Sequence, residues 1–304
     1  MTIALPSAPS DFDQYWSDTM AELAALPAAP ELTALSARST DFGTVYSVHL
    51  TSIGPYRIFA YYCVPHGDGP FPTLYHTPGY GSVVHVPAYE ERQRYVVVSL
   101  CHRGQRLSDQ PFAAAYPGLL TTGIADPAQY VYRGIVADCC RVVDFLLERP
   151  EVDNDCITIT GGDLALMTAA LRPAVDALYY TPDLFYAAES LTPRTHAYPR
   201  EEVNDYVRAH PAEAEAVWRT LRYFEPFHVA PRVRADTLLV SGQAGDMFAP
   251  ETVQPLADAL GGAVMLHQTA YSGARDGAHQ AEWISARYGF DGPLLPRQWQ
   301  SVQG

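Results

Sequence analysis

Three side chains stand where this chain could carry out nucleophilic chemistry. Asp163 lies in Gly161-Gly162-Asp163-Leu164-Ala165, a glycine-rich turn directly after the apolar run Ile157-Thr158-Ile159-Thr160. Asp246 lies in the loop after Ser241, and His279 in the loop after His267. Turn, acid and histidine in that order are the parts of a hydrolytic triad: a late aspartate orients an imidazole, which acts as general base toward a nucleophile at the turn. Taken singly, an Asp among glycines is ordinarily a turn former, and a late histidine is ordinarily a surface residue. Their placement after strand-like runs raises them above that reading, because open α/β sheets bind ligands outside the carboxyl ends of their strands.

The elements that must position these residues follow from pattern. Ser10 is the expected cap of a first helix, whose apolar stripe is Phe12, Tyr15, Trp16, Met20 and Leu23 and which Pro27 and Pro30 stop. Residues 45–50 and 57–64 read as two strands joined through Gly54-Pro55, an antiparallel hairpin. Short, almost wholly apolar runs then alternate with helical patterns: 73–76, 95–100, 156–160, 174–179, 237–241 and 263–267. Strands of this texture are buried on both faces, and their alternation with helices means a mostly parallel sheet flanked by helices. The clearest crossover helix runs from about Tyr132 to Glu148, with Ile135, Val136, Cys139, Val142, Val143, Leu146 and Leu147 turned inward. Residues 183–234 read as a mostly helical insertion whose aromatics Tyr198, Tyr206, Trp218, Tyr223 and Phe224 would roof a pocket. The expectation is one α/β domain over residues 1–304 with an N-terminal helix and hairpin.

Composition narrows the chemistry. There is no lysine, which removes Schiff-base, pyridoxal-phosphate and P-loop mechanisms. A formal charge of −14 argues against nucleic acid as a partner. Five cysteines, Cys63, Cys101, Cys139, Cys140 and Cys156, lack CxxC spacing and suit neither a disulfide framework nor a zinc site, so no metal is expected. Without a signal-like N-terminus or a long apolar run, the expectation is a cytoplasmic protein with no membrane partner.

Longer stretches carry a resemblance. Phe12-Asp13-Gln14-Tyr15-Trp16, Pro78-Gly79-Tyr80-Gly81, Arg103-Gly104-Gln105, residues 123–133 with Asp138, Pro150-Glu151-Val152-Asp153 and residues 242–250 together resemble the acetyl xylan esterase / cephalosporin-C deacetylase family of α/β-hydrolases, over nearly the whole chain. The resemblance implies an α/β-hydrolase fold that deacetylates small acetylated carbohydrates without cofactor or metal, in a homo-oligomer, dimer or hexamer. Residue by residue it implies Asp246 as triad acid and His279 as triad base. Tyr80 would supply a backbone N–H to the oxyanion hole, and Arg103, Gly104 and Gln105 would form a structural signature loop.

One departure divides the readings. The family's nucleophile lies in a Gly-Gly-Ser-Gln-Gly-Gly elbow, and this chain has no G-x-S-x-G. Aligned without a gap, Asp163 takes the serine position. Its carboxylate could then attack a C–halogen or epoxide carbon, as in haloalkane dehalogenases and epoxide hydrolases, with Trp218 or Tyr80 orienting the substrate. Aligned with a four-residue gap, Ser-Gln-Gly-Gly is missing and Leu164-Ala165-Leu166 recovers the family's helix register, so the gapped alignment is preferred. Asp163 then caps a shortened helix by accepting backbone N–H bonds. Ser82, Ser99, Ser241 and Ser272 are set aside as substitute nucleophiles because none follows a strand on such an elbow. The outcome is an esterase whose activity is in question, or a non-catalytic relative that binds a ligand or partner.

Overall fold

The computed structural model describes residues 3–300. Among these, nine strands form one sheet: β1 (Glu31–Ala34), β2 (Gly43–Ser52), β3 (Tyr56–Pro65), β4 (Phe71–His76), β5 (Val96–Cys101), β6 (Val152–Gly161), β7 (Ala177–Tyr180), β8 (Asp236–Ser241) and β9 (Val264–Gln268). The spatial order is β1-β2-β3-β5-β4-β6-β7-β8-β9. From β1 to β5 neighbours run antiparallel, and from β5 through β4 to β9 they run parallel. The hairpin is β2–β3, in register from Gly43 opposite Pro65 to Ser52 opposite Tyr56.

The helices are α1 (Phe12–Ala24), α2 (Val131–Leu147), α3 (Asp163–Leu171), α4 (Ala188–Leu191), α5 (Glu201–Ala209), α6 (Ala214–Arg222), α7 (Pro226–Val229), α8 (Pro250–Ala259), α9 (Gly273–Arg287) and α10 (Arg297–Gln300). They cover the two faces of the sheet unequally. On β5, Val96, Val98 and Leu100 join a large core with α1, α2 and α3, while Val97 and Cys101 join a smaller one with Ile284 of α9. This is the two-residue alternation of a strand buried on both faces.

Several boundaries differ from the sequence reading. α1 begins at Phe12 behind Asp11, so Ser10 lies outside it and no side chain caps it. β1 was not expected, since its four residues are all exposed and carry no alternation. The aromatics of residues 183–234 also divide. Tyr223 and Phe224 are buried against α1, where Trp16 Nε1 donates to the Tyr223 carbonyl at 2.9 Å, rather than over a pocket. All five cysteines are free thiols, four of them buried. No helix among the described residues is long and apolar enough to cross a membrane, and no cluster of His, Cys, Asp and Glu there could hold a metal ion.

Candidate active-site cleft

The site is built on the carboxyl ends of β4, β6 and β7. Register places His76 opposite Thr160, and Thr160 opposite Tyr179, so three side chains line up on one face of neighbouring parallel strands. Around them lies an open cleft of about 450 Å³, also lined by Glu91, Gly161, Gly162, Thr181, Asp183 and Gln280. His76 spans two partners here: Nδ1 lies 2.6 Å from Thr160 Oγ1, and Nε2 lies 2.9 Å from Glu91 Oε2. Burial disfavours the charged imidazole, but Glu91 beside it outweighs that and raises the pKa of His76. Burial likewise penalises the Glu91 carboxylate, yet His76 holds its pKa below the ordinary value. Sequence reasoning missed this pair. His76 was visible only as the polar end of an apolar strand, and Glu91 sits in the charged run Glu90-Glu91-Arg92 of a short 3-10 turn.

Two glycines shape the turn from β6 into α3. Gly161 has φ +150°, and a Cβ there would lie 2.1 Å from Thr77 Oγ1. A Cβ on Gly162 would lie 2.0 Å from Asp183 Oδ2. Asp163 follows at once as the first residue of α3, with Gly162 in the cap position. The expected cap is therefore corrected: Asp163 does not cap its own helix. Its carboxylate is 0% exposed. It accepts hydrogen bonds from Tyr180 Oη at 2.6 Å, Tyr186 N at 3.1 Å, Asp183 N at 3.4 Å and Phe185 N. It ties the segment after β7 to the start of α3. Asp183 answers by accepting the Asp163 N–H at 2.9 Å and the Leu184 N–H at 2.7 Å. Burial, then the neighbouring Asp163, raises the pKa of Asp183 well above the carboxylate range.

The expected acid and base are not joined. Asp246, in the loop after β8, accepts from Gln243 N at 2.5 Å and from the Tyr271 hydroxyl. His279 lies within α9 rather than in a loop, its ring stacked on His267 with centroids 4.1 Å apart. Burial first, then His267, lowers the pKa of His279. The acid–imidazole contact on this side is a different one, Asp276 Oδ1 to His267 Nε2 at 3.0 Å. Among the described residues no hydrogen bond links Asp246 to His279, or Asp163 to either.

The signature loop is a brace. Arg103 gives Asp138 three hydrogen bonds, from its backbone N and Nε at 3.0 Å and from Nη2 at 2.7 Å, and it donates to the Ile53 carbonyl at 3.1 Å. Gly134 on α2 makes room for it, since a Cβ would lie 2.3 Å from Arg103 Nη1. Gln105 Nε2 donates to the Gly81 carbonyl at 2.6 Å and the Gly79 carbonyl at 3.3 Å, which fixes the loop carrying Tyr80. The Tyr80 hydroxyl donates to Glu202, whose other oxygen takes the N–H groups of Gly118 and Leu120. Neither Tyr80, Asp246 nor His279 lines the cleft.

The mostly parallel sheet with helices on both faces and a cleft over its strand ends has the α/β-hydrolase fold, which it shares with solved acetyl xylan esterases. The model of the acetyl xylan esterase family matches residues 4–262, and the chain belongs to that family. The match stops before β9 and α9, which carry His267, Asp276 and His279. The chain is similar to the acetyl esterase Axe7A of Xylanibacter ruminicola, 23% identical over 261 residues, covering 80% of this chain and 58% of that protein. Its fold is similar to that of the acetyl xylan esterase from Paenibacillus sp. R4, with a TM-score of 0.81, 24% identity, and 93% of this chain and 96% of that one covered. It is also similar to acetyl xylan esterase 1 from Thermoanaerobacterium sp. JW/SL YS485, with a TM-score of 0.79, 23% identity, and coverage of 92% and 94%.

Proposed function

We infer that this chain binds a small acetylated carbohydrate or similar ester in the cleft above β4, β6 and β7, and that it does not use the serine–histidine–aspartate route of its family. The observation that carries the reading is the β6–α3 turn. Asp163 stands where a nucleophile would be sought, but its carboxylate is fully buried and accepts four hydrogen bonds. A carboxylate so placed faces no substrate, which also weighs against attack on a halogenated or epoxide carbon. The separation of Asp246 from His279 supports the same reading, since an acid must hold the imidazole for it to serve as base.

The test has two arms. Calorimetric titration with acetylated xylobiose should show saturable binding that weakens in Gln280→Ala, a cleft variant; an absence of binding would overturn the ligand assignment. Hydrolysis of p-nitrophenyl acetate should stay within about twofold of the parent rate in Asp246→Asn and His279→Ala. A working triad would lose roughly 10⁴-fold or more in the same variants, and such a loss would overturn the mechanistic half.

A further inference from the structure

The geometry points to a second hydrolytic constellation in the cleft: Thr160 as nucleophile, His76 as its base and Glu91 as the residue that positions the imidazole, acting on a small carboxylic ester. The assignment rests on the preceding reading only for the class of ligand; the residues come from the cleft itself.

Proton placement follows from the partners. An ionised Glu91 carboxylate can only accept, so the 2.9 Å contact puts a hydrogen on His76 Nε2. In the neutral ring Nδ1 is then the acceptor, and at 2.6 Å it takes its hydrogen bond from the Thr160 hydroxyl. Nucleophile to base to orienting acid is the arrangement that activates a hydroxyl. Lowered at Glu91 and raised at His76, the two pKa values favour the imidazolium that would form when Thr160 gives up its proton. The arrangement is also rigid. His76 and Thr160 are register partners at the ends of adjacent strands, and Thr77 Oγ1 donates to the Thr160 carbonyl at 3.1 Å. Thr160 is 6% exposed, and its side chain lines the cleft beside the two glycines of the turn.

The chemistry balances with water alone. Thr160 Oγ1 forms a bond to the acyl carbon while its proton passes to His76 Nδ1. The tetrahedral intermediate then breaks the ester C–O bond, and the leaving alcohol takes the proton from the imidazolium. Water then attacks the acyl carbon as it gives a proton to His76. The bond from Thr160 Oγ1 to that carbon breaks, Oγ1 takes the proton back from the imidazolium, and the acid is released with the threonine and neutral imidazole restored.

The experiment uses the whole chain with p-nitrophenyl acetate, following p-nitrophenol release and acid-quenched peptide mass spectrometry in parallel. An acetyl group should be trapped on the peptide bearing Thr160. Release should fall by roughly 100-fold in Thr160→Val and in His76→Gln. Thr160→Ser should retain activity, which separates loss of the hydroxyl from loss of the fold. Glu91→Gln should slow acetylation, and Glu91→Asp should recover most of it, at unchanged melting temperature. Equal release from the parent and Thr160→Val, acetylation elsewhere only, or neither release nor adduct in the parent would each overturn the assignment. None of these outcomes depends on whether acetylated xylobiose binds, so the two readings fail separately.

Discussion

Two ends of the same row of strands hold imidazoles beside carboxylates, and they have been built differently. At β4 and β6, His76 sits between a strand-end hydroxyl and Glu91, and all three line the cleft. At β8, β9 and α9 there are four candidate groups, Asp246, His267, Asp276 and His279, yet the pairs are Asp246 with Tyr271 and Asp276 with His267. His279 is left stacked on a second imidazole. Residue type and chain order match a triad in the second region, whereas contact geometry matches one in the first. Parallel-strand register fixes where His76 and Thr160 meet. The loops after β8 and β9 have no such constraint, and the angle at which α9 leaves decides what His279 touches.

The sharpest contrast is in how much each carboxylate holds. Asp163→Ala would strand the buried Tyr180 hydroxyl and the N–H groups of Phe185 and Tyr186. With each of the three orphaned buried groups costing about 1–3 kcal/mol, a loss of at least about 3 kcal/mol is expected in urea unfolding. Asp246→Ala, whose partners include the exposed Tyr271, should cost about 1 kcal/mol or less. Equal losses would mean that the two regions are not differently built.

A glycine pair tests the same contrast at backbone level. A Cβ at Gly162 meets Asp183, whose other oxygen is held by two backbone N–H groups, so the carboxylate cannot simply swing away. Gly162→Ala should cost about 1–3 kcal/mol. At Gly273, the first residue of α9, a Cβ meets nothing within 4 Å. Gly273→Ala should stay within about 0.5 kcal/mol of the parent. Comparable thermal shifts in the two variants would remove the argument that the β6–α3 turn is the tightly fitted one.

What the sequence made legible follows the same division. The buried strands could be read because their apolar runs are local signals: 95–100 is observed as Val96–Cys101, and 237–241 as Asp236–Ser241. Ile135, Val136, Cys139, Val142 and Val143 do face the core from α2. His279 could not be placed, because Gly277 interrupts the helical pattern of α9. The glycine is there for packing, since the Trp299 ring lies 2.4 Å from where its Cβ would be. Glu91 could not be linked to His76 from spacing, because the contact depends on how the chain returns between β4 and β5. Asp163 was legible as a departure but not as a tie, since its donors lie on a segment about twenty residues later.

The smallest effect expected comes from the acid that the second region does use. Burial pushes the Asp276 carboxyl upward, but the Ala270 N–H, His267, Thr269 and the Ser272 N–H donate to it and bring it down to about 2. A carboxyl whose folded pKa lies below its unfolded one stabilises the protein above the unfolded value, near 3.9. That stability is lost as pH falls from about 4 toward about 2, because the unfolded chain takes up the proton first. Discounted for partial exposure, the contribution is roughly 1 kcal/mol. Asp276→Asn should therefore be less stable than the parent at pH 6, with the difference nearly gone at about pH 2, where the parent's carboxyl takes up its proton and matches the neutral amide. Denaturation midpoints at the two pH values check this. A gap that persists in acid would show that Asp276 acts through its neutral hydrogen bonds. The carboxylate pairing of His267 would then be incidental, and the contrast with the strand-fixed His76–Glu91 pair would sharpen further.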